Sequence, residues 1–400
     1  MWEQIRSNQI RSVILVIGMG LLLVLLGYFL GLAFAGSGVT GLAIALVIWV
    51  VMGLIGYFQG DSILLTMSRA KKINRDDHPR LYNTVEEMKI ASGLQKMPNV
   101  YIIDDPALNA FATGRNPDKA SVAITSGLLQ KLNRDELQGV IAHEISHIKN
   151  RDVLLMAMAS IMLGTIVILA WYVSRIMLFG GMGGSRRSSS GGGGGQAIIL
   201  VVALALMILA PIFAYLIYFA ISRKREYLAD ASAALYTRYP EGLASALEKL
   251  GASTGQLKSA NQATAPMYII NPFRKKGRAA TDLSSTHPPI SERIRILRSM
   301  AGGASFVDYN NAYKQVHRGG GSVIPASALS LAGTSYKAVT PEAKIKEPDT
   351  IERTRETSDL MWKLSNYREI DCECGTKLRV PPKFKDSKIK CPHCGRIHEL

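Results

Sequence analysis

The stretch VIAHEISHIKNRDVLLMAMASIMLG (residues 140–164) joins two chemistries that seldom adjoin. His143, Glu144 and His147 suit a metal that splits water, whereas the run from Val153 onward is apolar enough to enter a bilayer. Histidines at i and i+4 lie on one face of a helix, so both imidazoles can reach one zinc ion. Glu144 between them can take a proton from a water that the metal has acidified to a pKa of about 7. An ordinary helix with two surface histidines and a glutamate carries the same pattern by chance in roughly one chain in a hundred of this length. The third ligand therefore matters.

Few residues can supply it. One class of zinc peptidases places a glycine and a histidine shortly downstream, where this chain has Asn150 and Val153. Between Glu144 and Glu226 the only acidic residue is Asp152, and the next histidine after His147 is His287. On a continuous helix Asp152 lies about 140° round from His147 and faces away from a shared metal. It is read, with Asn150, as solvated helix surface. Glu226 is the first carboxylate beyond two further apolar runs, 153–179 and 197–221. If those runs pair as a hairpin, Glu226 returns to the end that holds His147. Asp230, one turn later, can then accept a hydrogen bond from a ligating histidine.

The apolar runs set the class. Residues 13–35 and 39–58 carry no charge, 153–179 is broken only by Arg175, and 197–221 is again uncharged. Each can cross a hydrocarbon core of about 30 Å at about 1.5 Å per residue. The first run, with Arg6 and Arg11 before it, exceeds the roughly 7–15 apolar residues of a cleaved signal peptide and reads as an uncleaved anchor. The net charge of +16 brings nucleic acid to mind. Topology explains it better, because SRAKKINR (68–75), SRKREY (222–227) and FRKKGR (273–278) all fall on one side if the four runs span. Lysine and arginine accumulate on the cytoplasmic side, which places the catalytic site and both termini there in the inner membrane. Arg186 and Arg187 alone run against that rule.

Between the runs, residues 68–152 are patterned as a globular unit. LYNTVEEMKIASGL (81–94) has helical spacing, while NVYIID (99–104), SVAIT (121–125) and part of NAFATGRNP (109–117) read as strands. Asn133 and Glu136 form a capping-box pattern for a helix expected to run on into the third span. GGMGGSRRSSSGGGGG (180–195) has linker composition, as do the Gly, Ser and Ala-rich residues 302–346. A short amphipathic helix is expected over 351–365. The expected organisation is a transmembrane hairpin (1–60), a metallopeptidase domain (61–300), a linker with a short helix (301–366) and a cysteine module (367–400).

Taken together, HEISHIKNRD, two apolar runs, SRKREYLADASAA and STHPPISERI (285–294) resemble the HtpX family of membrane zinc metalloproteases, relatives of the CAAX prenyl proteases. The resemblance spans about residues 10–300. It implies a mainly α multipass membrane protein with a zincin-like domain and a small β-sheet. It implies His143, His147 and Glu226 as zinc ligands, Glu144 as general base and Asp230 as the residue orienting a ligand histidine. It also implies endoproteolysis of damaged or misfolded membrane proteins at the bilayer. His287 matches the family's His-Pro motif, with an oxyanion-stabilising or substrate-positioning role set against a purely structural one. NAFA (109–112) resembles the substrate-binding edge strand of many HExxH peptidases, in which Asn109, Ala110 and Phe111 would hold the scissile peptide by backbone pairing. A plain sheet strand with a buried Phe111 is the rival reading. Processing of lipidated C-terminal motifs, and a non-catalytic scaffold whose tail binds a partner or nucleic acid, are the alternatives at the level of function.

The resemblance does not reach the last 29 residues, which hold every cysteine of the chain: Cys372, Cys374, Cys391 and Cys394. CECG and CPHCG look like the two knuckles of a zinc ribbon, with four thiolates around one structural zinc. The first knuckle is Cys-x-Cys where Cys-x-x-Cys is usual, so His393 or His398 could replace one thiolate.

Overall fold

The structure is a computed structural model that describes residues 2–179, 193–253, 255–258, 267–270, 287–319, 321–331, 336–339 and 347–399. Helices α1 (Trp2–Ala35) and α2 (Gly38–Met67) make the first hairpin, with Ser37 Oγ accepting the Thr40 N–H at 3.3 Å to start α2. The later pair is α6 (Asp152–Phe179) and α7 (Gly193–Thr237). Val13–Ala35, Gly38–Met67 and Asp152–Tyr172 are long and apolar enough to cross a membrane. The fourth run lies within α7, whose described apolar stretch is Leu204–Ala214.

The inner faces of these helices meet one another. Leu15, Met19, Leu23 and Leu26 of α1 pack with Leu155, Leu163 and Ile166 of α6 and with Ala210 and Ala214 of α7. Outward, Leu21, Val47, Val50 and Leu54 stay exposed, a surface suited to lipid rather than water. The end of α2, the start of α6 and the last turns of α7 thus converge where the globular body begins.

That body is built on a four-stranded sheet in the order β1 (Lys71–Ile73), β2 (Asn99–Ile103), β4 (Ala120–Thr125), β3 (Ala110–Gly114). β2 and β4 are parallel; β1 and β3 are antiparallel edges. α3 (Pro79–Ser92), short α4 (Ser126–Lys131) and α5 (Arg134–Lys149) cover it. The capping box forms as read from the sequence: Asn133 Oδ1 accepts the Glu136 N–H and Glu136 Oε2 accepts the Asn133 N–H, both at 2.9 Å. α8 (Pro240–Ala252) crosses α5 closely, because a Cβ on Gly139 would sit 2.7 Å from the Leu243 nitrogen and one on Gly242 2.7 Å from the Asp135 oxygen. α9 (Ile290–Arg298) completes the packing around the site.

Two expectations are corrected here. α5 does not run on into the third span: Asn150 caps it, and Arg151 adopts φ 58° before α6 begins at Asp152. Residues 302–346 are not simply a linker, since they contain α10 (Phe306–Val316) and α11 (Ala326–Leu331), with Phe306, Tyr309 and Ala312 buried in the main core. Most of the expected linker 180–195 lies outside the described residues. α12 (Thr350–Leu364) also joins the body, burying Leu360 in the core while Arg353 Nε donates to the Gln130 carbonyl at 3.2 Å. Beyond it, β5 (Arg368–Asp371) pairs with β6 (Lys377–Val380), and β7 (Lys388–Lys390) pairs with β8 (Ile397–Glu399). Arg379 ties β6 back to Asp359 of α12.

Candidate active site

α5 carries His143 and His147 on the face turned toward α7, and the last turns of α7 bring in Glu226. The three side chains are buried at 1%, 6% and 2% exposure. His143 Nε2 and His147 Nε2 are 3.2 Å apart, and each lies 3.5 Å from a Glu226 carboxylate oxygen. Four ligands at about 2.0–2.1 Å around a tetrahedral zinc are separated by about 3.3 Å. Glu226 spans the pair, Oε2 toward His143 and Oε1 toward His147, and one donor atom from each of the three residues lies within 4.8 Å of the others, close enough for one ion to draw together with a fourth position left for water or substrate. Glu226 Oε2 is buried and accepts no hydrogen bond, which is what an oxygen aimed at a cation looks like. The donor set of two imidazoles and a carboxylate suits catalytic zinc.

Behind each histidine stands a carboxylate. Asp230 Oδ1 lies 3.0 Å from His143 Nδ1, as its helical spacing from Glu226 suggested. Asp152 Oδ2 lies 3.0 Å from His147 Nδ1, and Asp152 is fully buried rather than solvated. The left-handed turn at Arg151 ends the regular 100° progression, so Asp152 swings back toward the residue from which an unbroken helix would have rotated it. Asn150 is buried as well, at 2% exposure. Nδ1–H donation to these carboxylates turns each Nε2 toward Glu226, the atom a metal would take.

Arg293 is a functional residue that sequence reasoning passed over. It is fully buried, and its Nε and Nη2 grip the two oxygens of Asp230 at 2.8 and 2.6 Å, while Nη1 is 3.5 Å from Glu226 Oε2. It lies inside the STHPPISERI stretch, so the signal was an arginine one and a half turns past the His-Pro pair; only its burial gives it meaning. His287 is also brought in, with Nε2 3.8 Å from Glu226 Oε2.

The charges follow from this packing. Burial lifts the Glu144 carboxyl above its usual range, against the pull of His143 and His147, and keeps it ready to hold a proton. Burial also opposes a charged Glu226, but His287, His143 and His147 outweigh it and hold the carboxyl well below its usual range. Burial, with Arg293, His143 and His147 nearby, pushes His287 down to about 4 against the pull of Glu226. His143 is pushed the other way: Asp230 and Glu226 overcome burial and raise it to about 9. The proton it holds between two carboxylates is the one a cation would displace.

β3 flanks the site. The backbone N–H of Ala112 donates to Glu144, and Asn109, Ala110 and Phe111 lie at 3%, 0% and 2% exposure. On one side they pair with β4, and on the other they meet Tyr268, Ile269 and Ile270 of the same chain.

In the C-terminal module the four cysteine sulfurs lie within 4.8 Å of one another. Cys372 and Cys394 are 3.5 Å apart and Cys374 and Cys391 3.7 Å, against about 3.8 Å for thiolates around a zinc at about 2.3 Å. Gly375 and Gly395 take φ of 83° and 76°, the left-handed turns that close both knuckles despite the shortened first one. Among the described residues, neither His393 nor His398 belongs to the cluster.

The sequence model of Peptidase family M48 matches residues 74–301. A protein named Protease HtpX homolog from Dictyoglomus turgidum is 45% identical over 299 residues, 75% of this chain and 94% of its own length. One of the same name from Streptococcus pneumoniae is 44% identical over 301 residues, 75% of this chain and all of its own. A solved structure titled Crystal Structure of S. mikatae Ste24p is 22% identical and covers 74% of this chain and 67% of its own, with a TM-score of 0.40, too loose a likeness to carry detail.

Proposed function

The chain belongs to peptidase family M48 and is a zinc metallopeptidase with membrane-spanning helices, and on that premise we propose that it cleaves damaged or misfolded membrane proteins at the cytoplasmic face of the inner membrane. The observation that carries this reading is the buried convergence of His143, His147 and Glu226 at the ends of the membrane helices. The name shared by its relatives supports proteolysis. The basic clusters beside those helix ends support the cytoplasmic side.

His143, His147 and Glu226 would hold the metal. Zinc bound there supplies Lewis acidity, polarising the scissile carbonyl and acidifying water. Glu144 takes the proton of the attacking water and delivers it to the departing amine, a task its raised pKa suits. Asp230 and Asp152 fix the two imidazoles, and Arg293 fixes Asp230. His287, an N–H donor beside Glu226, is assigned to the oxygen on which negative charge grows. Asn109, Ala110 and Phe111 present the substrate backbone to these groups. The four cysteines would hold a structural zinc in the ribbon.

The test is Glu144→Gln in the full chain. Zinc content should stay unchanged while cleavage of an unfolded protein drops by at least about 100-fold, the scale of general acid–base catalysis. Cleavage at the normal rate would remove Glu144 from the mechanism.

A further inference from the structure

β3 is an edge strand, yet all five of its residues are buried, so something covers its open edge. Helices α5, α6 and α2 pack along the strand, and over Asn109–Phe111 the cover is the chain's own segment Met267–Ile270. The Ile269 N–H donates to the Ala110 carbonyl at 3.0 Å. Asn109 grips the next residue from both sides, its Nδ2 donating to the Ile270 carbonyl at 3.0 Å and its Oδ1 receiving the Ile270 N–H at 3.4 Å. Tyr268 is fully buried, edge-on to Phe111 with ring centroids 5.1 Å apart, and its hydroxyl donates to Ser68 Oγ at 3.1 Å. The same apolar cluster includes Leu64 and Leu65 at the end of α2 and Met156 and Ala157 at the start of α6. A ring seated here therefore lies between the sheet and the ends of two membrane helices.

These are the contacts of a docked peptide. An outward carbonyl on an edge strand pairs with any backbone N–H, and a pocket beside it selects among the side chains that enter. We infer that the edge of β3 and the pocket under Phe111 form a substrate site for apolar segments bearing a large aromatic side chain, and that Met267–Ile270 occupy it until substrate displaces them. The inference rests on the peptidase reading of the site, and it narrows the substrate class to stretches such as those exposed when a membrane protein misfolds. An internal occupant acts as a competitor: only the fraction of molecules with the edge free can bind, so apparent affinity falls by that fraction while turnover of bound substrate does not change.

Ile269→Pro removes the N–H that pairs with Ala110 and leaves the pocket lining intact. In full-length zinc-loaded enzyme, KM for unfolded casein should fall about fivefold, the equivalent of one hydrogen bond of about 1 kcal/mol, with kcat within about twofold. An unchanged or raised KM would overturn the inference. A second readout does not need turnover. In the full-length Glu144→Gln chain, the amides of Ile269 and Ile270 should be protected from hydrogen exchange, and a saturating apolar hexapeptide containing tyrosine should abolish that protection. Absence of saturable binding, or binding that leaves both amides protected, would also overturn it. A wild-type chain that cleaves nothing would sink the peptidase reading instead, and the exchange experiment would still judge the strap.

Discussion

The two clusters able to hold zinc among the described residues are built on opposite plans. At HEISH the donors come from two helices, His147 and Glu226 lying 79 residues apart in sequence; they are almost wholly buried and are backed by Asp230, Asp152 and Arg293. In the ribbon four thiolates come from two local turns within 23 residues, with Cys374 and Cys394 exposed. Three donors with an open corner suit a reaction; four closed around the ion suit a fold. The difference teaches where each site's geometry comes from. The hydrophobic core that packs α5 against α7 and α8 would hold the first in shape with or without metal, whereas the small cluster of Cys372, Leu378 and Cys391 would leave the second dependent on a bound ion.

Arg293→Met strikes hardest at the contrast. It would leave Asp230 buried without its ion-pair partner, a loss of about 3–5 kcal/mol, read as a lowered midpoint of thermal unfolding in detergent. A midpoint unmoved by this change would mean the buried pair does not support the site. Asp152→Ala comes next. Removing the hydrogen-bond partner of a ligating histidine lowers zinc affinity by about 10–100-fold, measurable by chelator competition against the wild type. Equal affinity would return Asp152 to a purely structural role.

Cys391→Ser sharpens the comparison from the other side. The ribbon should lose its zinc and its protection from proteolytic nicking, while cleavage of unfolded protein by the remaining site stays within about twofold. A parallel loss of peptidase activity would show that the two clusters are coupled. The smallest effect is expected at the start of α5: Asn133→Ala breaks the capping box and costs about 1 kcal/mol of stability, without changing zinc content.

The membrane class, three of the four expected spans and the convergence of His143, His147, Glu226 and Asp230 were legible, because they rest on local composition, on spacing along one helix and on the pairing of two apolar runs. What escaped depends on breaks and burial. Asp152 was misplaced because the projection assumed an unbroken helix through Arg151, whose positive φ no local signal announces. Arg293 stood inside a quoted motif, but an arginine in an amphipathic helix reads as surface until the structure buries it beside Asp230. α10 was hidden by averaging: its Phe306, Tyr309 and Ala312 face is diluted by the glycines and serines around it. β1, three residues long and mostly lysine, read only as part of a basic cluster. The covering of β3 by Met267–Ile270 joins residues about 160 apart and leaves no trace in periodicity.

Zinc content of the full chain tests the central claim most directly. The wild type should carry two zinc ions, and Glu226→Ala one, with the remaining ion in an all-sulfur environment by X-ray absorption and helical content unchanged. Two ions in Glu226→Ala, or nitrogen ligands on the one that remains, would contradict the assignment of Glu226 as the ligand that completes the HEISH site.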